Sequence, residues 1–348
     1  MNPILEQIRF MRKIVGFGRL MRMRKKHSLG LGYARGYVTT ICLWSLLNTG
    51  LLDELREKGA VNLAEFADRN NLDLAALESV CEYLDGLRVL RFEQGVCSLQ
   101  KRGTTLMEEP RGLFDLLYGY EPVFRDLEPL LRKIKTYGKD ITRRGEAVAK
   151  GSGELGRQLP FLAVRELVFS NGFRRVLDLG CGDLEFLFLL CENPEIICYG
   201  IDNDAATVEY ARKRLKEANL AHRITIEQGN MFAVKEAAQK FRDVDAITAI
   251  DVFHEYLSNG TDTISFFLRT VKRHFPDASL VVAEFFKLPQ SWLRRIPTVT
   301  LEHHLFHSLT NQVILPIGEW VKLFESSGYQ VVEKKLLHAI GHGYFVLK

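Results

Sequence analysis

The chain has 348 residues, 47% of them apolar and 26% charged, with a formal net charge of +4. That balance excludes a disordered or fibrous chain, allows two domains, and is too small a charge to argue by itself for nucleic acid. No apolar run reaches transmembrane length and no secretory signal is read, while Cys42, Cys81, Cys97, Cys181, Cys191 and Cys198 lack C-x-x-C spacing, so reduced thiols in a cytoplasmic protein are expected.

Residues 1–36 form a basic arm. Nine Lys and Arg (Arg9, Arg12, Lys13, Arg19, Arg22, Arg24, Lys25, Lys26, Arg35) stand against Glu6 alone. Ile4, Leu5, Ile8, Met11 and Val15 fall at helical spacing. A helix lying on an anionic membrane would show this pattern. So would a helix packed on a partner subunit with a solvated basic face, and that reading is preferred, because Gly16, Gly18, Gly30 and Gly32 should interrupt any long helix.

Residues 37–108 read as a second unit. Tyr37–Leu47 is an apolar helix ending near Asn48-Thr-Gly50, and Leu51 starts the next. Asn62 with Glu65 three positions later is a capping box. Leu72–Leu84 keeps helical apolar spacing. Val89–Phe92 and Val96–Leu99 flank Glu93-Gln-Gly95 as a β-hairpin. Three helices and a hairpin describe a winged helix. Its third helix carries Asp73, Glu78, Glu82 and Asp85 and no Lys or Arg, so phosphate would be repelled and no nucleic-acid partner is expected. The apolar helices predict a homodimer through residues 1–108.

Residues 109–160 are expected to be a helical linker roofing the site, with helices at 113–122 and 124–134. Gly138–Gly156 is glycine-rich and carries Lys139, Arg143, Arg144 and Lys150. It reads equally as an anion-binding loop or a solvated one.

Residues 161–348 carry the strongest signal. Val176-Leu-Asp-Leu-Gly-Cys-Gly-Asp183 is a short apolar run that ends in an acid and opens into glycines. Tyr199-Gly-Ile-Asp202 closes a second run with another acid. This is the pattern of a nucleotide-type cradle in a doubly wound α/β sheet, where the second acid accepts from ribose hydroxyls. Glu185 stands where a dinucleotide motif needs a third small residue. Asp183 and Glu185 at the following helix N-terminus would repel pyrophosphate and suit a cationic cofactor. Further strands read at Ile224–Gln228, with a turn through Asn230-Met-Phe232, at Asp245–Asp251, and at Ser279–Glu284.

Asp-x-Gly-x-Gly with the second-strand acid resembles motif I of S-adenosylmethionine-dependent methyltransferases. The winged-helix-like unit resembles the dimerisation domain of the plant-type O-methyltransferases. The resemblance implies a Rossmann-like class I methyltransferase domain behind a mainly helical, winged-helix-like dimerisation domain. It implies S-adenosylmethionine bound through Asp178, Gly180, Cys181, Gly182, Asp202, Asn203, Asn230, Met231, Phe232 and Asp251, with residues 230–232 flanking adenine. Asn230 replaces the usual Asp there.

His254-Glu255 follows the strand ending at Asp251, and the residues leave two mechanisms open. His254 could be the general base for a phenolic hydroxyl, as in the plant-type enzymes, although the motif there continues Asp-Trp rather than Glu-Tyr. Alternatively, His254, Glu255 and one of His303, His304 and His307 could hold a divalent or ferric metal in a two-His-one-carboxylate set. His303 and His307 share one helix face. The His-Glu pair and the run His307-Ser-Leu-Thr-Asn-Gln312 resemble the bacterial 2-keto acid C-methyltransferases. That resemblance implies a metal-held enolate as methyl acceptor, with His307 as the second His ligand, 53 residues after His254. A small-molecule C-methyltransferase is therefore the leading expectation, an O-methyltransferase the alternative. A non-catalytic S-adenosylmethionine-binding regulator is disfavoured by the intact cradle and His254.

Overall fold

The computed structural model describes residues 3–108, 110–296 and 298–348. It divides into two compact units, Met1–Pro110 and Arg111–Lys348. Residues 1 and 2 of the arm, and position 109 where the linker was expected to begin, lie outside the described residues.

In the first unit, helices Pro3–Val15 and Phe17–Asn48 run through the basic segment. Gly16, at φ 73°, parts them. Gly18, Gly30, Gly32 and Gly36 lie inside the second helix, which corrects the expectation that glycine interrupts it. A helical glycine costs about 1 kcal/mol against alanine, and the surrounding Leu, Met, Arg and Lys are strong helix formers. Only the glycine with a non-helical φ ends a helix. The segment after Tyr37 turns its apolar face inward, burying Leu43, Leu46 and Leu47.

Helices Leu51–Lys58, Leu63–Arg69 and Leu74–Gly86 follow. Asn62 Oδ1 accepts the Glu65 amide at 3.1 Å, and Asp73 Oδ1 caps the next helix at the Ala76 amide, 2.9 Å. A short strand, β1 (Ala60–Asn62), joins the hairpin of β2 (Leu90–Glu93) and β3 (Val96–Leu99) in the order β1-β3-β2. Gln94 and Gly95, at φ 51° and 78°, make the two-residue turn that twisted hairpins favour. Leu52, Leu55, Phe66, Leu77, Leu84 and Leu90 are the buried apolar centre of this winged helix.

The second unit contains a seven-stranded sheet of β4 (Arg175–Leu179), β5 (Ile197–Asp202), β6 (Ile224–Gln228), β7 (Ala246–Ile250), β8 (Ser279–Phe285), β9 (Val331–Leu337) and β10 (His342–Leu347). Their order is β6-β5-β4-β7-β8-β10-β9, and β10 alone runs antiparallel to both neighbours. Every residue of β8 and β10 is buried, which is why Ser279–Phe285 reads as a nearly continuous apolar run. Strand order reverses between β4 and β7, and the crevice beyond their carboxyl ends is where such sheets bind ligands.

Helices Arg111–Arg125 and Gly145–Gly156 belong to this unit. The latter corrects the loop reading of its segment. Glycines serve close approach between the two helices: a Cβ on Gly151 would come within 2.4 Å of the Leu116 backbone nitrogen, and one on Gly119 of the facing helix within 2.5 Å of Val148 Cγ2. Glycine can mark either a turn or a tight helix contact, and only the packing partner tells them apart.

Candidate active site

The carboxyl end of β4 delivers Asp178 into the sheet's centre. Its Oδ1 accepts the Thr248 hydroxyl of β7 at 2.6 Å. Burial lifts its pKa to about 7, opposed by the Thr248 hydrogen bond. Gly180 and Gly182 take positive φ, 77° and 52°, so the loop turns without a Cβ facing the crevice. The Gly180 amide still reaches the Ile201 carbonyl at 2.8 Å, tying the turn to β5. Cys181 turns its thiol inward against Gly200, where a Cβ would lie 2.7 Å from its Sγ. At the end of β5, Asp202 accepts the Gly182 amide on Oδ2 and the Asp204 amide on Oδ1, each at 3.0 Å. Its carboxylate is thus pinned across the turn.

Asn203 is exposed. Asn230 Oδ1 accepts the Phe232 amide at 2.9 Å, Met231 is buried in the core, and Phe232 meets Tyr256 edge-on with ring centroids 4.9 Å apart. Asp183 and Glu185 do not form a bare acidic rim. Arg214 donates to Asp183 Oδ2 at 2.8 Å and to Glu185, and Arg157 pairs with Glu185 at 2.7 Å. The two acids therefore do not select for a cationic cofactor as expected, because basic residues distant in sequence neutralise them.

Beyond β7 the chain reverses at Asp251, a non-glycine residue at φ 55°, and enters a 3₁₀ helix, Phe253–Asn259. This turn places His254 under the end of β8. His254 is buried, and its Nδ1 lies 2.9 Å from Glu284 Oε2. Glu284 is fully buried on β8, and its other oxygen accepts the Phe253 amide. His307, on helix Thr300–Leu309, sets its Nδ1 2.5 Å from the His303 carbonyl. A carbonyl only accepts, so His307 Nδ1 carries the proton and Nε2 offers a lone pair. The two Nε2 atoms of His254 and His307 face each other at 3.2 Å.

Burial pulls both imidazoles toward neutrality, but they part company. On His254 the Glu284 carboxylate outweighs burial, with help from Asp251 and Glu255, and the pKa rises. His307 has no such anion and is driven well below the usual range by burial and by His254. Glu284 thus favours the protonated form of His254, whose Nε2 faces the lone pair of His307 Nε2. Burial also lowers His303, to about 4, and His304.

Glu255 projects elsewhere. Its Oε1 accepts Arg143 Nη2 at 2.5 Å and Gln312 Nε2 at 2.9 Å. The amide of Val313 reaches the His254 carbonyl at 3.2 Å. The Thr310–Val313 turn thus closes on residues 254 and 255. Asp251 is held by His342 of β10, whose Nε2 lies 2.8 and 3.0 Å from its two oxygens. Asp251, His254 and Glu284 bring potential ligand atoms within 4.8 Å of one another. That trio is already occupied by the Glu284 and His342 contacts, which leaves the Nε2 side of His254 as the open one.

Sequence reasoning missed Glu284, His342 and the Arg143–Glu255 pair. Glu284 carried a signal, an acid ending an otherwise apolar central strand. His342, at the start of a buried edgeward strand, carried none.

Residues 172–301 match the family model described as a methyltransferase domain. The chain is similar to the methyltransferase ungE' of Aspergillus campestris, 24% identical over 319 residues that cover 87% of this chain and 91% of that one. Its fold is that of LaPhzM (18% identity, TM-score 0.68, covering 92% of this chain and 98% of that one). It is also that of the mitomycin 7-O-methyltransferase MmcR (13% identity, TM-score 0.62, 95% and 98%). The protein is an S-adenosylmethionine-dependent methyltransferase with a plant-type O-methyltransferase-like architecture. No helix among the described residues is long and apolar enough to cross a membrane.

Proposed function

We propose that this enzyme C-methylates a small 2-keto acid, with S-adenosylmethionine seated on Asp178, Gly180, Cys181, Gly182, Asp202, Asn203, Asn230, Met231, Phe232 and Asp251, and a metal held by His254, Glu255 and His307. The observation that carries this reading is the opposed Nε2 pair. Two nitrogen ligands on neighbouring positions of one cation, with bonds of about 2.1 Å, lie about 3.0–3.4 Å apart, and these two stand 3.2 Å apart. Both rings are anchored through Nδ1, which leaves their Nε2 atoms for a shared proton or a cation. Glu284 behind His254 is the carboxylate that fixes a ligating imidazole's tautomer. Glu255 is assigned as the carboxylate of the donor set, and to reach the cation it would have to turn from Arg143 and Gln312, which hold it beside the histidine pair.

A cation bound there would supply Lewis acidity to a chelating 2-keto acid and acidify its C3 proton. The chain's own residues do the rest. His254 must give up its shared proton on loading. Glu284 holds the ring through that change, and burial of the pair excludes water. Asp202 would accept the ribose hydroxyls while its backbone bonds keep the turn closed.

The runner-up is O-methylation with His254 as base, supported by the His254–Glu284 dyad. Against it, the remaining ring nitrogen faces His307, and Glu284 favours the protonated ring. The test is chelation. Methyl transfer to phenylpyruvate-like 2-keto acids and to catechols is assayed after metal removal and after metal is restored. The C-methyl product should vanish and return. Full activity in chelator, or transfer to phenolic oxygen alone, would move the assignment to the runner-up.

We further assign a cytoplasmic homodimer formed through the first unit. The exposed, nearly uncharged segment with Leu29, Leu31, Tyr33, Tyr37 and Val38 supports it. A monomeric mass in light scattering at micromolar concentration would sink that assignment.

A further inference from the structure

We propose that the arm of residues 3–26 is a binding element for an anionic lipid surface, lying on the bilayer rather than crossing it. The observation is a segregation of charge and apolar exposure. Eight of the chain's 47 Lys and Arg fall here (Arg9, Arg12, Lys13, Arg19, Arg22, Arg24, Lys25, Lys26), with one of its 43 acids, Glu6. The rest of the chain is therefore net acidic, 39 against 42.

Helix Pro3–Val15 places Ile4, Ile8, Met11 and Val15 along one stripe, with Glu6, Arg9 and Lys13 opposite. Ile4, Leu5, Ile8, Met11 and Ile14 are 62%, 53%, 45%, 42% and 63% exposed. The following helix adds Met21 and Met23, both exposed, among the five basic residues of positions 19–26. Gly16 lets the two helices take separate directions.

Three occupants would cover part of this surface. Nucleic acid would neutralise the basic residues but leave the Ile and Met stripe in water. A second copy of the arm would bury the stripe but bring two strongly basic segments together. An anionic bilayer answers both demands: the stripe enters the boundary between headgroups and acyl chains, and the basic side chains meet lipid phosphates and carboxylates. Dimerisation keeps its own surface, since the apolar segment from Leu29 to Val38 carries only Arg35.

The test uses the full chain in vesicle flotation, with phosphatidylcholine vesicles and with vesicles of about one-third phosphatidylserine. Binding is expected to the anionic vesicles only and to fall in about 0.5 M salt. The triple variant R22E/R24E/K25E should weaken it by about fivefold or more per reversed charge. The double variant I8D/M11D, with every basic residue kept, should abolish it. Circular dichroism and thermal melting establish that each variant is folded, and light scattering follows its mass. Equal binding to neutral vesicles, or none to anionic ones, overturns the proposal. So does I8D/M11D if it dissociates an oligomer while vesicle binding persists, because the stripe then belongs to a second copy.

Discussion

The proposed cofactor cradle and the histidine cluster both bury polar groups beyond the strands' carboxyl ends, yet they are built in opposite ways. The cradle is local. Asp178, the two glycines and Asp202 lie within 25 residues, and most of its bonds run from carboxylate to backbone amide. The cluster is assembled from β7's extension, β8, the helix Thr300–Leu309 and β10, and most of its bonds run between side chains. Backbone donors are supplied by any residue at the right turn. Side-chain networks depend on every member, and losing one leaves its partner's buried charge or lone pair unmatched. The cluster should therefore be the more brittle of the two.

The largest effect should come from His307→Ala. A metal-dependent enzyme loses its second imidazole, and turnover on 2-keto acids should fall roughly a hundred- to ten-thousandfold, with metal content by elemental analysis falling in parallel. A base-only mechanism through His254 would leave the variant largely active, which would separate the two chemistries.

Glu284→Gln comes next. It keeps shape but removes the anion that holds His254, and should lower metal affinity about 10–100-fold. In the wild type, His254 is protonated below its raised pKa, and that contribution to stability is lost as pH rises through it. Metal and proton compete for this ring, so metal affinity should climb with pH across that interval. In Glu284→Gln the climb should shift to lower pH. An unmoved profile in metal titrations would take Glu284 out of the proton-holding role.

Asp202→Ala tests the cradle. It removes the acceptor that holds the Gly182 and Asp204 amides, and S-adenosylmethionine affinity in calorimetry should weaken by about 1–3 kcal/mol. Unchanged affinity would count against the cradle assignment.

Asp178→Asn comes last, because it is expected to register as a gain in stability. The wild-type carboxyl is raised from 3.8 to about 7 by burial. A raised acid stabilises the fold fully below pH 4, and that contribution is lost as pH rises to about 7. The difference is at most about 4 kcal/mol. Asparagine keeps an oxygen for Thr248 without the charge, so thermal melting should lose its decline between pH 4 and pH 7. A decline identical to the wild type would place its origin in another group.

The parts whose physics is local were legible in the chain alone. The Gly-Cys-Gly turn needs positive φ, an alternation of apolar strands and helices implies the doubly wound sheet, Asn62 caps its own helix, and His303 and His307 share a face because 3.6 residues make a turn. Tertiary structure decided what long-range contact decides. Gly151 in Gly145–Gly156 became a helix contact because another helix came close enough to need it. Asp183 and Glu185 lost their role as a bare rim to Arg214, and Glu255 turned to Arg143 and Gln312. Glu284 and His342 joined the site only because β8 and β10 pair antiparallel, with His342 opposite Phe285. A buried side chain's partner is set by which strand lies beside it, and strand order is a property of the whole fold rather than of any stretch of chain.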